Sequence, residues 1–154
     1  RLMSLPLIST GRNFSENSLS DMGKARTISR FLLILYIIAV AILCFGRFNG
    51  GIDMSSELFG IPKDKIAHFT MFLPYPILMY LAFYRPGSKV RLVLFLTAVI
   101  IAGGILAGAT ELIQGMLQYR SADITDFRAD CLGILSGSII TVTAGILRQD
   151  KDRR

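Results

Sequence analysis

The chain is expected to be an all-α bundle of four transmembrane helices with both termini in the cytoplasm, and three observations predict it. Residues 31–46, 66–84, 92–110 and 132–147 each run 16 to 19 residues without Asp, Glu, Lys or Arg, about the length of helix that crosses a bilayer. The composition, 52% hydrophobic and 18% charged in only 154 residues with mean hydropathy +0.52, carries more apolar surface than a soluble core of that size can hide. The basic residues gather at the ends of the apolar runs. Lys24, Arg26, Arg30, Arg85, Lys89, Arg91, Arg148, Lys151, Arg153 and Arg154 fall on one side, against Arg47, Lys63, Lys65, Arg120 and Arg128 on the other. Ten against five puts both termini in the cytoplasm by the positive-inside bias.

In hydrocarbon a spanning segment must satisfy its own backbone, and the chain lacks the long alternating runs of a β-barrel, so the spans are read as helices. The formal charge of +6 sits at span ends rather than in a stripe interleaved with aromatics, so nucleic acid is not an expected partner.

Residues 1–21 contain Ser, Asn, Gly and Pro without periodicity, and Met22-Gly23-Lys24-Ala25-Arg26 before an apolar run resembles a native start. They are read as a disordered tail or upstream readthrough without function. Residues 22–30 form a basic cytoplasmic segment; their match to a myristoylation pattern is redundant beside a span. The membrane domain is placed at 31–147. Its first span, 31–46, has no small-x-small site before Arg47 and is taken as an uncleaved helix. At roughly 24 Å, a 16-residue span crosses if its flanking arginines snorkel.

The second span, 66–84, holds Pro74 and Pro76, which remove two backbone donors and predict a kink near its middle. The third, reaching from 92 to about 113, carries Gly104 and Gly108, with Glu111 and Gly115 following at helical spacing. The fourth, 132–147, repeats the small-xxx-small device with Gly133 and Gly137, so spans three and four are expected partners. Cys44 and Cys131 fall near the outer ends of their spans and are read as independent thiols. Residues 148–154 are a charged cytoplasmic tail.

Acid, base and hydrogen-bond donor types converge at one boundary. Asp64, Lys65 and His68 open span two; Glu111 and Gln114 close span three; Arg120, Asp123 and Asp126 precede span four. Asp64 and His68 are four apart and can share a helix face, as can Glu111 and Gln114, three apart. A polar side chain inside a span is expected to face the bundle and find partners; Glu111 alone reads either as an interfacial carboxylate paired to Arg120 or Lys65 or as part of a functional site with His68. Asp123, Asp126 and Asp130 recur at i, i+3 and i+7, aligning three carboxylates on one face. Three acids and a His can hold a hard divalent cation, but neither an EF-hand loop nor a zinc spacing is present. No metal or cofactor is therefore expected, and Asp123 and Asp126 are read as serving the helix N-terminus.

Asp64-Lys65-x-x-His68, then Glu111-x-x-Gln114, then Arg120 followed by Asp126 and Gly133-x-x-x-Gly137, in that order between hydrophobic segments of residues 62–147, resembles the VanZ-like membrane proteins. Four residues after the Asp the family pattern usually has Asn; this chain has Asp130, a charge in place of a neutral amide. The resemblance implies a small multi-span protein of the bacterial inner membrane, in a family named for resistance to the glycopeptide teicoplanin. It implies no particular reaction.

Two functions fit these residues. The first is a membrane factor that binds an envelope lipid, a lipid-linked peptidoglycan precursor or a glycopeptide at the outer leaflet. Asp64, Lys65, Gln114, Arg120, Asp123, Asp126 and Asp130 would form its binding surface, and Lys65 and Arg120 would contact anionic head groups. The second is a membrane-embedded enzyme acting on a lipid or lipid-linked substrate, with His68 or Glu111 as general base. A transporter has little support in a single short domain without internal repeats.

Overall fold

The structure, a computed structural model, describes residues 10–46, 57–58, 60–118 and 121–151. Its elements follow in the order α1 (Thr10–Phe45), a hairpin of β1 (Glu57–Leu58) and β2 (Ile61–Pro62), α2 (Lys63–Phe72), α3 (Pro74–Phe83), α4 (Lys89–Met116) and α5 (Ile124–Lys151). Among the described residues, four helical stretches are long and apolar enough to cross a membrane: Ser20–Phe45, Lys63–Phe83, Lys89–Met116 and Ile124–Lys151. Each is longer at one or both ends than its charge-free run, because a helix once nucleated propagates through charged residues at little cost per residue.

The same propagation changes the reading of the N-terminal segment. The tail expected over residues 1–21 is helical from Thr10, continuous with the first span, and Asp21 and Lys24 sit one turn apart at 3.8 Å.

The hairpin pairs Glu57 with Pro62 and Leu58 with Ile61, and its turn contains Gly60 at φ +77°, a conformation glycine adopts without a Cβ clash. It delivers the chain directly into α2. The second span is interrupted at Leu73, between α2 and α3, where Pro74 and Pro76 supply no N–H to the ladder. Leu73 keeps right-handed helical dihedrals, φ −57° and ψ −43°, so the chain continues across the break without reversing. Tyr36 Oη donates to the Met71 carbonyl at 2.7 Å and ties α1 to that break.

Helix α5 is the hub, packed against α2, α3 and α4, while α1 lies along α3. The shared core is Phe72, Tyr75, Val99, Ala107 and Ile134. Outward faces carry exposed Ile101, Ile105, Leu112, Ile139 and Leu147, an apolar exterior suited to lipid.

Helices α4 and α5 pack against each other as the sequence suggests, but their glycine pairs do not meet. Gly133 and Gly137 face the backbone of the second span: a Cβ at Gly133 would collide with the Phe69 carbonyl oxygen, and one at Gly137 with that of Leu73. Gly104 has no such neighbour within 4 Å, and a Cβ at Gly108 would meet only Phe127, at 3.7 Å. The buried stripe of α4 instead runs Val99, Gly103, Ala107, Thr110, Glu111 and Gln114. Burying Glu111 and Gln114 sets the helix rotation, and that rotation turns Gly104 and Gly108 aside.

Candidate functional site

Three helix ends meet at one lip of the bundle. His68 lies five residues into α2, Glu111 five residues before the end of α4, and Asp130 six residues after the start of α5. At 1.5 Å per residue all three sit about 7 to 9 Å inside their helix ends. The glycine contacts hold α5 close to α2 and bring Asp126 and Asp130 opposite Lys65 and His68.

Nearest the lip, Lys65 Nζ donates to Asp64 Oδ2 at 3.1 Å, Asp123 Oδ2 at 3.0 Å and Asp126 Oδ1 at 2.6 Å. An ammonium has three donors, and here each has a carboxylate. Asp123 also starts α5: its Oδ1 accepts from the Thr125 N–H at 2.8 Å and the Thr125 hydroxyl at 2.7 Å, the N-cap arrangement the sequence suggests. The Thr125 N–H and hydroxyl, and then Lys65, hold the Asp123 carboxyl at about 2.

One turn deeper lies a second cluster. His68 Nδ1 donates to Asp130 Oδ1 at 2.9 Å, Glu111 Oε1 lies 3.8 Å from the same nitrogen, and His68 Nε2 is 3.7 Å from Asp126 Oδ2. His68, Glu111 and Asp130 are 7%, 6% and 0% exposed, so water contributes little to their solvation. Glu111 Oε2 accepts from the Asp123 backbone N–H at 3.1 Å. Its other oxygen, Oε1, and Asp130 Oδ2 are buried without a hydrogen-bond partner among the described residues. Buried polar atoms are nearly always paired, so two such oxygens in one cluster call for a physical explanation.

Both clusters have donor sets that suit a cation. The ligand atoms of His68, Glu111 and Asp130 lie within 4.8 Å of one another, as do those of Asp64, Asp123 and Asp126. Lys65 already places a positive charge among the latter three.

The structure thus brings together His68, Glu111, Asp64, Lys65, Asp123, Asp126 and Asp130 from their three sequence patches. Gln114 is buried beside them, but its Nε2 donates to the Cys44 carbonyl at 3.0 Å and fastens α1 to α4. Arg120 lies outside the described residues. Asp64 turns to Lys65 rather than to His68, whose partner is Asp130. Glu111 meets the Asp123 amide instead of Lys65. Thr125 was not singled out in the sequence, although Asp-x-Thr before an apolar run is a capping signal. Cys44 Sγ lies 4.0 Å from Met71 Sδ, and neither Cys44 nor Cys131 is in a disulfide.

A family model described as VanZ/LLP1 matches residues 31–147, most of the chain. No curated protein and no solved structure matches.

Proposed function

The chain belongs to the VanZ/LLP1 family, and from that premise we propose that it binds the head group of an envelope lipid or a lipid-linked cell-wall precursor. In this reading it is a multi-pass protein of the bacterial cytoplasmic membrane with both termini inside, and its polar lip faces the outer leaflet. The basic bias of the segments flanking 31–147 supports that orientation. The observation that carries the binding reading is the pair of buried, donorless oxygens, Glu111 Oε1 and Asp130 Oδ2, at the mouth of three spans. Such atoms favour a ligand that supplies donors or positive charge. The hydroxyl and amide groups of a sugar-peptide precursor, or of a glycopeptide, are ligands of that kind. Lys65 is engaged with three carboxylates, so the recognition chemistry centres on the acids rather than on that ammonium.

A second reading, turnover of a lipid or lipid-linked substrate, is favoured by the 2.9 Å bond between His68 Nδ1 and Asp130 Oδ1. A carboxylate on Nδ1 orients the ring and leaves Nε2 to take a proton from an attacking hydroxyl or water.

The test is a lipidomic comparison of cells with and without the gene, joined to mass-spectrometric assay of the purified protein against major envelope lipids. Binding predicts lipid retained by the protein without conversion, with retention lost in Glu111→Gln. Conversion of a lipid by the wild type, abolished in His68→Gln, replaces binding with catalysis. An unchanged phenotype in both variants at normal protein levels contradicts both readings.

A further inference from the structure

We propose that His68, Glu111 and Asp130 hold a divalent transition-metal cation, and that this cation is what allows an acid-rich site to accept a phosphate-bearing head group. The second clause rests on the binding reading above; the first stands without it.

The inference begins with charge. Among the described residues the two clusters hold five carboxylates, from Asp64, Glu111, Asp123, Asp126 and Asp130, and one ammonium, from Lys65. All three donors of that ammonium are spent on the outer acids. Glu111 and Asp130 are left in the deeper, drier layer, each with one oxygen lacking a donor. Two carboxylates side by side away from water are costly unless paired or bound to a metal. A phosphate brought to such a place would be repelled.

The geometry also fits a metal. A cation bound at about 2.0 to 2.2 Å holds its ligands roughly 3 to 4 Å from one another. Here His68 Nδ1 is 2.9 Å from Asp130 Oδ1 and 3.8 Å from Glu111 Oε1. The outer groups are in place as well. Glu111 Oε2 is held by the Asp123 amide at 3.1 Å, which leaves Oε1 for the metal. With Nδ1 on the metal, the proton moves to Nε2, which already lies 3.7 Å from Asp126 Oδ2. A metal-bound His usually presents its second nitrogen to a carboxylate in this manner. Asp126 is in turn anchored by Lys65 at 2.6 Å. One imidazole and two carboxylates, without thiolate, suit Mn2+ or Zn2+. A protonated Nε2 cannot act as a base, so metal binding and the general-base role of His68 exclude each other.

The experiment titrates Mn2+ into the full chain, purified in detergent and stripped with a chelator, and follows free Mn2+ by electron paramagnetic resonance. No lipid is added, so the cation is read apart from any head group. The expected result is about one Mn2+ per chain, with pulsed spectra showing coupling to an imidazole nitrogen. That coupling is lost in His68→Gln, and affinity falls at least about tenfold in Glu111→Gln and Asp130→Asn. Asp150→Asn, which alters the exposed pair with Lys89 at the other end of the bundle, leaves affinity unchanged. The coupling is read on the wild type, so the test survives a variant that fails to fold. Absence of both Mn2+ and Zn2+ binding, bound Mn2+ without nitrogen coupling, or wild-type affinity in folded Glu111→Gln and Asp130→Asn overturns the site.

Discussion

Two carboxylate clusters lie about one helical turn apart at the same end of the bundle, and they are solved in opposite ways. The outer one, Asp64, Asp123 and Asp126, encloses its own cation in Lys65 and is partly open to solvent. The inner one, Glu111 and Asp130, is sealed from solvent, and its partners among the described residues are His68 and the Asp123 amide. Carboxylates whose charge is met inside the chain hold a structure together; those left short of donors are disposed to meet something from outside. In the proposed binding reading, helix assembly falls to the lip and ligand capture to the layer beneath it.

The most damaging way to break this contrast is to separate the helices that carry it. Gly133→Leu forces its side chain against the Phe69 carbonyl and pulls α5 from α2, which dismantles both clusters together. A loss of about 3 kcal/mol is expected in reversible unfolding from detergent, with loss of lipid and cation binding.

Lys65→Met tests the outer cluster alone. It leaves three carboxylates facing one another and is expected to cost about 2 kcal/mol, moderated by their partial exposure. Lys65→Arg restores most of that loss in the same unfolding assay.

The inner cluster is expected to respond with the opposite sign. Glu111→Gln keeps an acceptor for the Asp123 amide while removing a buried charge without a cation. In the presence of a chelator, its stability should lie between unchanged and about 2 kcal/mol above wild type. A destabilisation like that of Lys65→Met would erase the distinction between the clusters.

The smallest effect is in pH. Asp123 is held at about 2, below its ordinary value of 3.8, so its contribution to stability is fully present above about pH 4 and fades as pH falls through 2. Asp123→Asn should flatten the unfolding profile across that window, while the wild type loses stability toward acid.

Much of this arrangement was legible in the chain itself. Charge-free runs of bilayer length announce four spans, and the Pro74/Pro76 pair announces the break at Leu73. The convergence of His68, Glu111 and the Asp123–Asp130 stripe follows from alternate threading, because the end of span three and the starts of spans two and four must share a side. Partner choice was not legible. Asp64 and His68 share the spacing of a helical pair, yet Lys65 lies beside Asp64 in the chain and takes its carboxylate, while Asp130 arrives from another helix. Nor could the runs of small residues say which glycines would touch. Gly104 and Gly133 sit in similar patterns, but burial of Glu111 and Gln114 decides which face of α4 looks inward.

The central claim is that the two donorless oxygens of the inner cluster mark the seat of a ligand. Native mass spectrometry of the full chain released directly from membranes tests it most simply. The wild type, Lys65→Arg and Asp150→Asn should each carry a lipid or lipid-linked adduct that Glu111→Gln and Asp130→Asn, folded and at equal abundance, have lost. Equal retention across all five proteins would contradict the account.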